Sequence, residues 1–269
     1  SNAARGIKLV RMLNFDHGAR LGPIRIDIAA TSACNYHCCF CGAHSSLTEQ
    51  HIASESLSES ALDGLLSDLR QMRVRDILFS GNGEPLLSST LLSVLPRYIK
   101  YLDVEILTNG SRLDVVDQQF LDQLKFLTIS LNSGNGRSHQ VTHGYRGENL
   151  FPRIIAEIER LLSYRRAARK IKLNYVITRD NYAELEDFIG LARKWDVSFM
   201  ARPVSIIFPE LQPRALTPDM LGEVNEVIDR NLKVDTSHKQ TVSLRLLQRA
   251  VSVMPESQTA AGRLFPCYY

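Results

Sequence analysis

The stretch "RDILFSGNGEPLLSSTLLSVL", Arg75 to Leu95, decides the fold. It opens as a short β-branched and aromatic run, breaks at a glycine-rich loop, and resumes as a leucine-rich segment at helical spacing. That is one strand, one turn and one helix. The same order recurs on both sides. "PIRIDIAA" (Pro23 to Ala30) is a strand running into a cysteine-rich loop, and "SESALDGLLSDLRQM" is an amphipathic helix with a cap near Ser58. "STLLSVLPRYIKYL" is a helix that Pro96 breaks or kinks. "DVEILTNG" is a strand, "DVVDQQFLDQLK" a helix and "FLTISLN" a strand; "NLFPRIIAEIERLLSYRR" is a long helix. "KIKLNYVIT", "YAELEDFIGLARKW" and "DVSFMARPVSII" continue the alternation, and "TPDMLGEVNEVIDRNL" is a helix with Thr217 as cap and Pro218 in its first turn.

Six β/α units with short connections predict an α/β fold: a parallel sheet with helices outside. An eight-unit barrel needs more chain than follows Leu232. The expectation is a partial (β/α)6 TIM-like barrel over residues 24–232 with a C-terminal appendage over 233–269. In such barrels function sits at the C-terminal ends of the strands. Here those ends carry cysteines, "SGNGEP", "TNG" and "SLNSGNG".

Composition narrows the function. The net charge is +3, with both signs interspersed, too mild to argue for nucleic acid or an anionic membrane. No apolar run of spanning length and no secretory pattern is present, so the expected compartment is the cytoplasm. Disulfides are disfavoured there. Yet four of the five cysteines fall in "CNYHCCFC", Cys34 to Cys41. An odd count, mostly adjacent, makes a poor disulfide framework. A metal site remains. Cys34, Cys38 and Cys41 either hold three irons of a cubane whose fourth iron stays open, or hold a zinc ion that His37 or His44 completes.

The spacing C-x3-C-x-aromatic-C, filled by Cys34, Cys38, Phe40 and Cys41, resembles the signature of radical S-adenosylmethionine (radical SAM) enzymes. The likeness continues in order. Gly81, Asn82, Gly83, Glu84 and Pro85 look like that family's GGEP loop, with Asn82 in place of its second residue. "TNG" and "SLN" stand at its third and fourth strand ends, and "HQVTHGYRG" is similar to the segment that follows. The resemblance implies a 4Fe–4S cluster on the three cysteines. Its open iron chelates S-adenosylmethionine, which is cleaved reductively to the 5′-deoxyadenosyl radical, and that radical abstracts a hydrogen atom from substrate. Phe40 then packs beside cluster and adenine, and Gly81 to Glu84 face the methionine ammonium. Asn109, Ser130 and Asn132 face the ribose hydroxyls and the methionine carboxylate, and Arg146 pairs with that carboxylate. Asn174 and Arg202 reach the same rim if the pleat phase is right. Cys39 points away and packs as a small apolar side chain. His37, His139 and His143 read as solvated loop histidines and stay outside the site.

Cys267, in the closing "FPCYY", resembles the first cysteine of the SPASM or twitch extensions of peptide-modifying members, which hold auxiliary clusters. The expectation is a chain that continues past Tyr269, an auxiliary iron–sulfur cluster involving Cys267, and a ribosomally made peptide as substrate. A sugar, nucleoside or other small metabolite is the alternative. The electron donor implied is a flavodoxin or ferredoxin. A non-catalytic iron–sulfur or zinc redox sensor is the reading from another class; it has no need of a GEP loop.

Overall fold

The structure, a computed structural model, describes residues 23–45, 53–145, 147–206, 209–234 and 237–252. Six strands, β1 (Arg25–Ile28), β2 (Asp76–Phe79), β3 (Asp103–Thr108), β4 (Phe126–Ser130), β5 (Ile171–Ile177) and β6 (Ser198–Pro203), form one sheet in chain order. Every neighbouring pair is parallel. The expected partial barrel is therefore present.

The helices cover one face of the sheet. α1 (Glu59–Gln71) starts at Ser58, whose side chain accepts from the Ala61 amide, and buries Leu62, Leu66 and Leu69 at helical spacing. α2 (Ser89–Val94) passes into a 3-10 turn at Leu95–Arg97, the break expected at Pro96. α3 (Gln118–Gln123) is shorter than its sequence pattern, because Asp117 caps it and a separate 3-10 turn holds Leu113–Val115. α4 (Gly136–His143) was not expected, since it has no apolar stripe. α5 (Phe151–Leu162), α6 (Leu185–Lys194) and α7 (Pro218–Leu232) follow the pattern, and Thr217 caps α7. α8 (His238–Ser252) opens the expected appendage but packs into the same core. Leu244, Leu247 and Val251 are buried in it, and Ser243 Oγ accepts from the Phe199 amide at 3.1 Å.

Strand residues alternate between two environments. Ile77, Phe79, Val104, Ile106, Leu127, Ile129, Leu173, Tyr175 and Phe199 are buried under the helices. The opposite, concave face is polar. Glu105 Oε1 accepts from Thr128 Oγ1 at 2.7 Å, and Arg25 and Lys172 each lie 3.6 Å from the Glu105 carboxylate. Lys172 Nζ also sits 3.2 Å from the centre of the Phe126 ring. Burial lowers the Lys172 ammonium below its ordinary range. The half-barrel thus presents a charged inner wall beneath its upper rim.

Candidate cluster and cofactor site

The rim begins where β1 ends. The segment that precedes α1 folds back onto it: Ser32 N donates to Glu55 O at 2.8 Å and Leu57 N to Ala30 O at 3.0 Å. Gly83 of the β2 loop packs against the same backbone. A Cβ there would lie 2.3 Å from Thr31 O and 2.7 Å from Ala33 O, so no side chain fits without displacing the approach to Cys34. Gly81 takes φ +113°, and Asn82 is exposed.

Glu84 lies just below this loop, 2 % exposed. Its carboxylate accepts from Thr108 Oγ1 at 2.6 Å, from the Asn109 amide at 2.6 Å and from the Leu86 amide at 2.9 Å. Burial pushes its pKa up, and those three donors pull it back. The side chain therefore clamps the β2 loop to the end of β3. Asn109, held by that clamp, donates its Nδ2 to Asn35 Oδ1 at 2.9 Å and lies 3.9 Å from Cys34 Sγ.

The loop Cys34–Cys41 is thus braced by the ends of β2 and β3. Cys41 Sγ accepts from the Ala43 and His44 amides, both at 3.4 Å. Cys38 Sγ lies 3.3 Å from His143 Nδ1. Burial, then the neighbouring Cys41 and Cys34, push the Cys38 thiol well up. Cys39 turns the other way, 4.0 Å from Asp180 Oδ2, and burial with the Asp180 charge raises its thiol to about 11. Asp180 is held by a two-oxygen contact from Arg214 Nη1 at 3.0 and 2.9 Å. Cys39 points away as expected, but it faces a carboxylate, not an apolar pocket.

His44 Nε2 is bonded to the Ser32 and Asn82 carbonyls, and His37 Nδ1 to the His44 carbonyl. Among the described residues no three His, Cys, Asp or Glu side chains gather around one ion position, as tetrahedral zinc requires. Thiolates on separate irons of a cubane stand further apart.

The β4 and β5 ends complete the rim. Ser130 Oγ accepts from Asn174 Nδ2 at 3.4 Å, which places both on the concave face. Asn174 Oδ1 is buried without a partner. Met200 pairs with Asn174 in register and Arg202 with Val176, so Arg202 lies on the same face, one step nearer the rim. Asn132, at φ +50°, accepts the Val176 amide on its Oδ1 at 2.8 Å and the Asn181 side-chain amide on its carbonyl, so it braces β4 against β5. Phe40 is half-buried, its ring edge-on to His143 at 6.5 Å. Arg146 and Cys267 lie outside the described residues.

Sequence reasoning misplaced two histidines. His139 and His143 are buried in α4, stacked at 4.3 Å. Desolvation holds their imidazoles neutral, His139 down at about 2 and His143 at about 4. Tyr36, buried beside both rings, was also missed. The available signal was the i, i+4 spacing of the two histidines in a segment whose single large apolar residue, Val141, is exposed.

The family model of the Radical SAM superfamily matches residues 28–192. Relatives named "Probable GTP 3',8-cyclase" include those of Saccharolobus solfataricus, 27 % identical over 222 residues, and Sulfolobus acidocaldarius, also 27 % identical. They cover 79 % and 78 % of this chain, which spans 66 % of each relative. Among solved structures, Streptococcus suis SuiB bound to precursor peptide SuiA superposes with a TM-score of 0.60 at 15 % identity, over 86 % of this chain and 50 % of that one. A radical SAM methyltransferase from Sphaerobacter thermophilus gives 0.56 at 16 % identity, over 77 % and 63 %. Among the described residues no helix is long and apolar enough to cross a membrane. With the six parallel strands, the cysteine loop after the first and the matched region spanning both, this chain belongs to the radical SAM superfamily, whose members are enzymes that use a 4Fe–4S cluster and S-adenosylmethionine.

Proposed function

We propose that Cys34, Cys38 and Cys41 hold the 4Fe–4S cluster and that S-adenosylmethionine binds along the rim they share with the β2, β3 and β4 loops. The observation that carries this reading is the Cys41 sulfur, which receives two backbone N–H groups in a loop that also holds Cys34 and Cys38. Hydrogen bonds to ligating sulfurs are how proteins tune such clusters. When bound, the cluster supplies the electron that cleaves S-adenosylmethionine and so yields a radical able to take a hydrogen atom from substrate.

The chain's own residues bind, orient and exclude water. Gly81, Asn82 and Gly83 bring backbone close to the methionine end. Glu84 keeps that loop and Asn109 in place rather than offering a free carboxylate. Phe40 shields the cluster side. Ser130 and Asn174 present hydroxyl and amide groups to the ribose, Asn132 acts through β5, and Arg146 remains assigned to the methionine carboxylate. The barrel of residues 24–232 carries this chemistry.

A ribosomally made peptide is the proposed substrate. Met200 and Arg202 of β6 are exposed on the concave face, and an extended chain fits such a trough; SuiB was solved with its precursor peptide. An auxiliary iron–sulfur cluster involving Cys267, a flavodoxin or ferredoxin as electron donor, and a cytoplasmic setting belong to the same reading. A nucleotide is the second reading. Arg202 has no ion-pair or hydrogen-bond partner among the described residues and suits a phosphate, and the sequence relatives are named as GTP cyclases.

The test is anaerobic reconstitution of the protein and of its single cysteine variants, followed by iron and sulfide analysis. Cys34→Ala, Cys38→Ala and Cys41→Ala should each lose the stable cluster, and Cys39→Ala should keep it. Equal loss in Cys39→Ala would overturn the ligand assignment. Deuterium transfer from a labelled peptide or from labelled GTP into 5′-deoxyadenosine then separates the two substrates.

A further inference from the structure

Cys38 is held from below by the last turn of α4. The terminal carbonyls of a helix have no partner inside it. Here Thr142 O accepts from Cys39 N at 2.9 Å, and His143 O accepts from His37 N at 3.0 Å. The residues on both sides of Cys38 are thus fastened to two successive carbonyls. Gly144 closes the helix at φ +59°, and a Cβ there would lie 2.2 Å from His37 O. Only glycine lets the cysteine loop approach so closely.

The His143 ring fills the space between. It is fully buried, stacked on His139, and met edge-on by Tyr36 at 4.8 Å. Its Nε2 lies 3.2 Å from Leu131 O, which can only accept, so the proton of the neutral ring sits on Nε2. The Nδ1 lone pair then faces Cys38 Sγ at 3.3 Å and accepts the thiol proton in the unloaded chain. Both ring nitrogens are used, and ring rotation would break both contacts. A histidine present only to fill volume has no need of a polar atom aimed at one sulfur.

We infer that His143 is a positioning residue for the cluster: its Nδ1 fixes the Cys38 sulfur while the α4 terminus fixes the flanking amides, so the ligand loop stands in ligating form before iron arrives. This rests on the ligand reading of Cys38 given above.

The experiment compares His143→Asn, His143→Gln and His143→Leu in the reconstituted protein. Asn retains a polar atom near the Nδ1 position, Gln retains one toward Leu131 O, and Leu retains neither. Cluster assembly from iron and sulfide is followed by visible absorbance, and iron per chain is counted at its end. His143→Leu and His143→Gln should assemble the cluster about 10- to 100-fold more slowly than the parent, the size of effect seen for residues that orient metal ligands. His143→Asn should fall close to the parent. Gly144→Ala reads the same seat through the backbone if the Leu variant does not fold, and should also slow assembly. Assembly at the parent rate in His143→Leu would overturn the inference. So would equal slowing in all three variants, since the ring would then act by packing alone. A Cys38→Ala protein that keeps its cluster would instead remove the ligand reading beneath it.

Discussion

Glu84 and Gly83 sit side by side in the β2 loop and act by different physics. Glu84 is a buried carboxylate with three donors, so removing it strands the Thr108 hydroxyl and the Leu86 and Asn109 amides. Glu84→Gln turns one acceptor into a donor facing another donor, and should cost about 1–3 kcal/mol in urea unfolding, with Glu84→Ala at least as costly. Gly83→Ala drives a methyl group into Thr31 O and Ala33 O. It should lower stability by about 1–3 kcal/mol and also lower iron per chain on reconstitution, because the displaced backbone leads to Cys34. Iron content at the parent level in Gly83→Ala would show that the β2 loop does not set the cysteine loop. The sequence made this loop legible as a site, since glycines and a carboxylate at a strand end are rare without purpose. It did not reveal that Glu84 points inward, because a carboxylate's direction depends on donors 24 and 25 residues away.

Among the elements, α2 and α7 were readable from single residues, Pro96 and Thr217, whose backbone effects are local. α4 was not. Its buried residues are Ser138, His139, Thr142 and His143, so it carries no apolar period. What holds it is tertiary: Asn135 caps it, Ser138 bonds Glu184, and its C-terminal carbonyls serve the cysteine loop. Burying a neutral imidazole there makes the fold acid-sensitive. His139 ordinarily titrates near 6.5 and is held at about 2 by desolvation, with His143, Tyr36 and Phe151 packed against it. Between those values the unfolded chain binds the extra proton, so stability falls as pH drops below about 6.5. Glu84, with its raised pKa, runs the opposite way. The difference between parent and His139→Phe isolates the histidine. Their stability gap should shift toward the variant by about 3 kcal/mol between pH 7 and pH 4, read by urea unfolding of the unloaded chain. A gap that does not change with pH would mean that His139 is solvated.

At the scale of the molecule, six strands in chain order make a wall that is apolar outside and charged inside, closed at one end by α8. The alternation was legible because strand and helix periods differ; the inner wall was not, since Glu105, Thr128 and Lys172 stand on three different strands and meet only through the sheet register. α8 belongs to that wall's core. Leu247→Ala should therefore destabilise the whole chain by about 2–5 kcal/mol in one cooperative transition, whereas a separate early transition would set residues 238–252 apart as an independent unit. The rim above the wall is where the three thiols, the Gly81–Glu84 loop and Asn109 converge. The most direct measurement is 5′-deoxyadenosine released from S-adenosylmethionine by the anaerobically reconstituted, reduced protein. The account predicts release by the parent and by Cys39→Ala, and none by Cys38→Ala; a fully loaded parent that releases none, or a Cys38→Ala protein that releases as much as the parent, would contradict it.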